Sequence, residues 1–314
     1  MVKTSKELVE ILVRAEDEII GSFKKCKEIV KSEGGDLTLD IEEKYTHQLG
    51  KFLNDEKVYA TIVSEGKLIH DYEGNKKEYI IFLDPDEGST NFHSGKLPHG
   101  GNIIVFPASP EVIRVKDWVS VLVSDRHNGI KYVAFHSGDK NLVQIIEGEK
   151  RRSPNKKAEG QIIEVPAGYT KQDSGLFSQI AYYHAVMKAL GNNQYRSVDS
   201  SGTRLVDVVD GTTKCYIEGR NLVKLGGAWN LIPSAVIINA GGGKATHLDG
   251  TSFDNDIVWD QEKYKEVGGF NPNVGRDVLA CYKLEDYKKC LKEITAIRGK
   301  ESEYLSQEII KAFK

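Results

Sequence analysis

The sequence contains no long apolar run and no excess of basic residues. None of its apolar stretches approaches the roughly 20 residues that a membrane helix requires. The formal net charge is −3 over 314 residues, so there is no basic footprint for nucleic acid. The N-terminal Met1–Glu10 is charged and lacks the apolar core of a secretory signal. We therefore predict no membrane partner and no nucleic-acid partner.

Cysteine is also scarce, and the common cofactor motifs are missing. The four cysteines form no C-x-x-C pair, which favours a reduced, cytoplasmic setting. No two histidines have H-x-x-x-H spacing, which disfavours zinc. There is no G-x-x-x-x-G-K-[ST] sequence, and Gly241-Gly242-Gly243 follows a predicted helix instead of opening one. Neither an ATPase P-loop nor a dinucleotide fingerprint is predicted.

Helix and strand patterns alternate along a chain long enough for one large domain or two closely joined lobes. Helical spacing covers Ser5–Lys31, Asp36–Leu53, Ser174–Leu190, Gly202–Asp210, Trp229–Gly241 and an amphipathic tail, Glu285–Lys314. Strand patterns cover Tyr59–Ser64, Tyr79–Leu83, Gly101–Phe106, Asp117–Ser124, Ile130–His136, Ile162–Pro166, Tyr195–Ser200, Cys215–Glu218 and Val278–Tyr282. The basic segment Lys150–Gly160 is predicted as a surface loop, with an anion-binding arm as the alternative. This mixture favours an α+β or layered α/β sandwich over a pure Rossmann sheet.

The most informative segment is Asp84-Pro85-Asp86-Glu87-Gly88-Ser89-Thr90-Asn91-Phe92, which follows the apolar strand Tyr79–Leu83. Carboxylates are the hard oxygen ligands that Mg²⁺ prefers. Gly88 allows the backbone to approach an anion closely. Ser89 and Thr90 can cap a helix whose N-terminal amides attract phosphate. The alternative is an ordinary strand-to-helix turn, since Asp-Pro and Gly-Ser are common turn pairs.

Three acids are placed so that they can converge. Glu65 ends one predicted strand, Asp84 ends the next, and Glu87 lies just beyond. If the two strands are neighbours, these carboxylates meet at one edge of the sheet. A two-metal phosphatase holds its ions roughly 4 Å apart and needs acids from more than one segment.

Further segments share the pattern of one family. They are Gly35-Asp36-Leu37-Thr38 with Glu42, Ser64-Glu65, Ser201-Gly202-Thr203, and Ala228-Trp229-Asn230 followed by Ala240-Gly241-Gly242. With the Asp84 segment, they resemble the inositol monophosphatase and fructose-1,6-bisphosphatase superfamily of Mg-dependent, lithium-sensitive phosphatases. Its signature is Asp-Pro-(Ile/Leu)-Asp-Gly-(Thr/Ser)-x-Asn. The resemblance extends from about Leu8 to about Leu291.

This resemblance implies a two-metal site for Mg²⁺, with Mn²⁺ as a possible substitute. Asp84 would bridge both ions and Glu65 would bind the first, which the backbone carbonyl of Asp86 would complete. Glu87 and Asn230 would hold the second ion.

The resemblance also implies the groups that hold the substrate. Ser89 would orient the attacking water together with Glu65, and the backbone amides around Gly88, Ser89 and Thr90 would bind the phosphate. The positions near the alcohol part of the substrate would be Gly202, Thr203 and Glu218. Glu42 occupies the place where a weaker third ion is sometimes held.

Several positions depart from the family pattern. Glu87 replaces Asp, Ser89 replaces Thr, Gly66 replaces a frequent second acid, and Asp86 replaces an apolar residue. Asn230 is the most serious departure, because it replaces an acid with a neutral carbonyl and should weaken the second ion. The alternative to an active enzyme is therefore a catalytically impaired member that binds a phosphorylated ligand or partner.

The substrate is poorly determined by the sequence. Ser89-Thr90-Asn91 is closer to fructose bisphosphatases, whereas Trp229 directly before the ligand position resembles inositol monophosphatases. A bisphosphate needs a second cationic site. Candidates for it, each expected more often as a solvated surface charge, are Arg196, Arg204, Arg220, Lys224 and Lys244.

The expected protein is a phosphomonoester hydrolase for a small phosphorylated sugar or polyol. From the resemblance we expect a five-layer α-β-α-β-α sandwich of the sugar phosphatase type and a homodimer. We expect an N-terminal α+β lobe at 1–150 that carries the metal and phosphate motif. A C-terminal α/β lobe at 151–296 would complete the site, and a helical tail would occupy 297–314.

Overall fold

The computed structural model describes residues 3–25, 37–64, 68–71, 77–87, 100–108, 111–155, 162–166, 175–191, 195–198, 201–219, 228–274 and 277–312. In these ranges the helices are α1 (Ser5–Lys25), α2 (Leu37–Asp55), α3 (Gly175–Leu190), α4 (Ser201–Leu205), α5 (Asp207–Asp210), α6 (Ile232–Ala240), α7 (Leu284–Ile297) and α8 (Glu301–Ala312). Short 3₁₀ helices span Val115–Asp117, Phe253–Asn255 and Lys265–Val267.

The strands of the first half are β1 (Ala60–Ser64), β2 (Leu68–Asp71), β3 (Tyr79–Glu87), β4 (Gly100–Pro107), β5 (Val112–Arg114), β6 (Ser120–Asp125), β7 (Ile130–Ser137), β8 (Lys140–Glu147) and β9 (Lys150–Arg152). Those of the second half are β10 (Ile162–Pro166), β11 (Tyr195–Val198), β12 (Thr213–Glu218), β13 (Lys244–Thr246), β14 (Ile257–Asp260) and β15 (Val278–Cys281).

Most of these strands form two sheets. The larger has the order β2-β1-β3-β4-β6-β7-β8-β9, and only its β1–β3 pair is parallel. The smaller has the order β11-β10-β12-β15-β13, with β11, β10 and β12 parallel and the rest antiparallel. Strands β14 and β5 form a separate two-stranded ribbon.

Three apolar cores separate five layers. The first joins α1 and α2 to the larger sheet, with Leu12 and Tyr45 packed near Leu83. The middle core lies between the sheets and contains apolar residues of α6 together with Phe82 of β3 and Tyr216 of β12. The third joins the smaller sheet to α3, α7 and α8. Neighbouring side chains of β3 belong to different cores, as expected for a strand covered on both faces. The predicted α-β-α-β-α sandwich is therefore confirmed.

Several short strands were not predicted from the sequence. Strand β2 lies in the charged excursion after Ser64, and β13 lies beyond the glycine cluster. The predicted loop Lys150–Gly160 begins with the exposed edge strand β9. Strands of three or four residues complete too few periods to give a hydrophobic pattern, and sheet pairing supplies what propensity does not. The predicted helix Gly202–Asp210 consists of two short helices, α4 and α5.

No helix in the described ranges is long and apolar enough to cross a bilayer.

A half-buried histidine holds three segments of the second half together. His247 Nδ1 lies 2.7 Å from an oxygen of Asp277, and its Nε2 lies 2.9 Å from an oxygen of Asp256. Burial alone would lower the pKa of His247. The hydrogen bonds and charges of Asp256 and Asp277 outweigh burial and raise this pKa to about 9.

This pairing predicts a loss of stability at alkaline pH. Because the folded pKa is above the unfolded value of about 6.5, the stabilisation is fully present below about pH 6.5 and is lost as pH rises through about 9. Allowing for partial exposure, we expect His247 to contribute about 1–2 kcal/mol. Urea unfolding of the wild type and His247→Gln at about pH 6 and about pH 10 measures it. If the stability gap between the two proteins is the same at both pH values, the charged pair is not what stabilises this region.

Candidate metal and phosphate site

Asp84 lies at the end of a central strand of the larger sheet. Only 1 % of the surface of Asp84 is exposed to solvent. Strand β3 runs between β1 and β4, and Asp84 is paired with Asn102 of β4. Beyond this pair the next partners are Glu87 and Gly100, so β3 carries one residue more than β4. Such a bulge bends the strand and is common beside active sites. The bulge lies between Asp84 and Glu87.

The end of β1 lies next to this position. Strands β1 and β3 are parallel, and Ser64 is paired with Leu83, one residue before Asp84. Glu65 follows Ser64 in the sequence but lies outside the described residues. The predicted neighbourhood of the two strands is confirmed, whereas the position of the Glu65 carboxylate stays a prediction.

Asn102 connects this strand end to the second half of the chain. Its Nδ2 donates a hydrogen bond of 3.3 Å to the backbone carbonyl of Asn230. The backbone of Gly202, at the start of α4, is packed against both residues. A Cβ atom at Gly202 would collide with Asn102 Nδ2 and lie 2.8 Å from the Asn230 carbonyl oxygen. Asp84, Gly202 and Asn230, predicted from distant motifs, are thereby brought to one place through Asn102.

Thr203 belongs to the same group. A Cβ atom at Gly100 of β4 would lie 2.5 Å from Thr203 Oγ1 and would collide with the carbonyl of Ser124. The carbonyl of Gly202 accepts a 2.6 Å hydrogen bond from Ser234 Oγ of α6. Helix α4 is thus fixed by close backbone approach on one side and by α6 on the other.

The close packing at Gly202 gives a testable expectation. Gly202→Ala should destabilise the protein by about 1–3 kcal/mol, because the added methyl group meets a buried side chain and a backbone oxygen. Gly21→Ala in α1 is the matched control, since no atom lies within 4 Å of its Cβ position. That substitution should stabilise the protein by about 0.5–1 kcal/mol. Denaturant unfolding measures both, and equal midpoints for the two variants would contradict this account of Gly202.

A buried ion pair between Arg126 and Glu16 holds the backbone directly after Asp84 in place. Arg126, at the end of β6, donates to the carbonyl of Pro85 through Nη1. Its Nε donates to Glu16 of α1 at 2.8 Å, and Tyr45 of α2 donates its hydroxyl to the same carboxylate. Burial alone would raise the pKa of Glu16. The charge and hydrogen bonds of Arg126, with that from Tyr45, keep this pKa below its ordinary value. The carbonyl next to Asp84 is therefore bound to a charged, rigid group.

A second ion network lies behind α4. Arg204 donates to Asp207 and to Asp125 of β6, each at 2.6 Å, and all three are nearly fully buried. Tyr132 donates to the other oxygen of Asp207 at 3.3 Å. The expectation that Arg204 is a solvated surface charge is wrong, because Arg204 is buried and links α4 to β6 of the larger sheet. Its guanidinium is already bound by two carboxylates.

The other predicted residues are only partly described. Glu65, Gly88, Ser89 and Thr90 lie outside the described residues, as do the side chains of Glu42, Asp86 and Glu87. The backbone of Asp86 and Glu87 belongs to β3. Glu218 is buried at the end of β12 and accepts a 2.8 Å hydrogen bond from Tyr216. Its place near the substrate stays a prediction.

The oxygen atoms of Asp84 and Asn230 suit a hard divalent cation. Asn230 Oδ1 is buried and has no hydrogen-bond partner among the described residues. An amide oxygen in that state lacks the partner that buried polar atoms normally have. Together with the buried carboxylate of Asp84, it provides the oxygen chemistry that Mg²⁺, Mn²⁺ or Ca²⁺ accepts.

Sequence reasoning missed Asn102, Arg126 and Glu16. Asn102 opens an apolar strand directly after two glycines, and a polar residue at such a strand start is the only signal it offered. Arg126 and Glu16 are 110 positions apart and have no local pattern in common.

Comparison with known proteins finds relatives in structure alone. No family model matches the sequence, and neither does any curated protein. A dual-specific inositol monophosphatase/NADP phosphatase bound with D-inositol-1-phosphate has a TM-score of 0.63 and 15 % identity, over 93 % of this chain and 96 % of that one. A Ca-bound inositol monophosphatase family protein from Staphylococcus aureus has a TM-score of 0.62 and 15 % identity, over 93 % and 96 %. The extragenic suppressor protein SuhB from Bartonella henselae has a TM-score of 0.59 and 13 % identity, over 92 % and 99 %.

These similarities cover nearly the whole of each chain. At such identities they establish the architecture and leave the chemistry to the residues. The chain therefore has the fold of the inositol monophosphatase superfamily.

Proposed function

We propose that the protein is a metal-dependent phosphatase, a phosphoric monoester hydrolase of the reduced cytoplasm. Its substrate would be a small phosphorylated sugar or polyol such as inositol monophosphate or fructose 1,6-bisphosphate. The observation that carries the proposal is the convergence of Asp84, Gly202 and Asn230, through Asn102, at the bulged end of β3. The fold supports it, because the neighbours named above include phosphatases.

In this proposal Mg²⁺ would be held by Asp84, Glu65, Glu87, Asn230 and the carbonyl of Asp86. Bound there, it would supply a Lewis acid and lower the pKa of a coordinated water. Asp84 supplies a buried carboxyl group at the strand end, and Asn230 supplies an amide oxygen that has no hydrogen-bond partner among the described residues.

Ser89 and Glu65 would orient the attacking water, and the amides of Gly88, Ser89 and Thr90 would hold the phosphate in place. Gly202, Thr203 and Glu218 would contact the alcohol part of the substrate. Arg126 keeps the backbone before Asp86 fixed through the Pro85 carbonyl. A fixed backbone places donors without reorganisation during the reaction.

The site would be completed by two lobes, at 1–150 and 151–296, with 297–314 as a helical tail. Asp84 and Asn102 belong to the first lobe, and Gly202 and Asn230 belong to the second. A homodimer is part of the same proposal, and sedimentation equilibrium would test it.

One observation favours a second candidate function. Asn230 contributes no charge, so the second ion would be held by one carboxylate fewer than in the family pattern. A member with a weakened site could bind a phosphorylated ligand or partner without hydrolysing it. Some structural neighbours have been solved with inositol monophosphate or 2′-AMP bound, which shows that the fold accommodates such ligands.

The deciding experiment measures phosphate release with and without Mg²⁺ or Mn²⁺. The panel is inositol 1-phosphate, fructose 1,6-bisphosphate, adenosine 3′,5′-bisphosphate and 2′-AMP. We expect metal-dependent turnover of at least one ester and calorimetric binding of more than one ion per chain. No turnover, together with a single weak ion and retained ligand binding, would favour the non-catalytic function instead.

A further inference from the structure

Three of the four cysteines lie together in the third core, away from the Asp84 group. Cys215 of β12 is paired directly with Cys281 of β15. Cys290 projects from α7, which packs against the same face of the smaller sheet. The three sulfur atoms lie within 4.8 Å of one another, and all three residues are 0 % exposed.

This spacing is close to that of sulfur atoms around one metal ion. A zinc–sulfur bond of about 2.3 Å places tetrahedral sulfur ligands about 3.8 Å apart. Two rigid strands and one helix already hold the three sulfurs to within about 1 Å of that separation. A disulfide could use only two of the thiols and would leave the third without a partner.

The surroundings of the three sulfurs are dry. All three cysteines belong to the apolar core between the smaller sheet and the helices α3, α7 and α8, and none of them is exposed to solvent. A thiolate in such a core is costly unless it is paired with positive charge, which a bound metal ion would supply.

We propose that Cys215, Cys281 and Cys290 form a buried structural site for one thiophilic metal ion, Cu⁺ or Zn²⁺. Soft thiolate ligands select these ions. The ion would bind the three sulfurs as thiolates, so that protons are released when it binds. Among the described residues the group contains these three ligands and no histidine or carboxylate, which suits a three-coordinate ion. The site would stabilise the smaller sheet against α7 and take no part in hydrolysis.

The test uses the full chain carrying Cys26→Ser, so that only the clustered thiols can bind. The reduced, metal-free protein is titrated with Zn²⁺, and separately with Cu⁺ held in a competing chelator. We expect one equivalent of at least one of the two ions, release of protons in weak buffer, and a higher Tm. X-ray absorption of the loaded protein should show three sulfur neighbours. A dominant response to Cu⁺ or to Zn²⁺ identifies the ion.

Single variants supply the matched comparison. Cys281→Ala and Cys290→Ala should each weaken binding by at least about 100-fold, since two thiolates alone hold the ion poorly. Should either variant fail to fold, the sulfur count in the parent chain still decides. No bound ion in the reduced protein, fewer than three sulfur neighbours, or a native disulfide among the three cysteines found by mass spectrometry would overturn the proposal.

Discussion

Asp84→Asn is expected to reduce metal-dependent phosphate release by at least about a thousandfold while the protein stays folded. Asn preserves the shape of the side chain but removes the buried negative charge at the end of β3. Losing one carboxylate at a site that binds dications should cost several kcal/mol of transition-state stabilisation, and about 4 kcal/mol corresponds to a factor of a thousand. Initial rates over a range of Mg²⁺ concentrations, with circular dichroism as the folding check, measure the effect.

Two companion variants make this expectation specific. Asp254→Asn removes an exposed acid of the 3₁₀ helix Phe253–Asn255 and should leave the rate unchanged. Asn230→Asp adds a charge at an amide oxygen that has no partner in the part of the chain that the structure describes, so it should lower the Mg²⁺ concentration needed for half-maximal activity. Wild-type rates in Asp84→Asn would show that the reaction centre lies elsewhere.

Arg204→Met is expected to destabilise the protein by about 3–5 kcal/mol, the largest stability change of any substitution considered. The guanidinium is the common partner of Asp125 and Asp207, which are both nearly fully buried. Removing it leaves two carboxylates in a low-dielectric region with less compensation, which costs far more than an exposed pair would. Urea unfolding, followed by fluorescence and circular dichroism together, measures the change.

The controls separate charge from packing. Arg204→Met combined with Asp125→Asn and Asp207→Asn should recover much of the lost stability, because no carboxylate is then left buried without its guanidinium partner. Arg152→Met breaks a 2.9 Å pair with Asp210 in which the arginine side chain is 44 % exposed, so it should cost no more than about 1 kcal/mol. Similar losses for Arg152→Met and Arg204→Met would mean that burial does not set the strength of these pairs.

Much of the fold could be predicted from the sequence, because its signals are local. The apolar run before Asp84 and the helical stripe from Leu8 to Ile19 each report burial within a few turns or residues. Gly202 and Asn230 are predicted as site residues because each lies within a short motif of the family pattern, and their role in a site stays a prediction. The structure places both beside Asn102, the strand partner of Asp84.

What could not be predicted depends on pairing over long distances. The bond between Arg126 and Glu16 and that between Arg204 and Asp125 join residues 110 and 79 positions apart. A charged residue considered alone is expected at the surface, so the amino-acid composition does not indicate that these residues are buried and paired. The three clustered cysteines are spread over 75 positions, and only the register of β12 with β15 and the approach of α7 bring them together.

Asn102 lies in the larger sheet and Asn230 lies in the turn before α6, so the hydrogen bond between them depends on how the layer that contains α6 is positioned against that sheet. A slip of a single ångström would alter the donor geometry long before any helix or strand unravelled. Mild heating or low denaturant should therefore abolish the proposed phosphatase activity while the far-ultraviolet spectrum of the protein is still native.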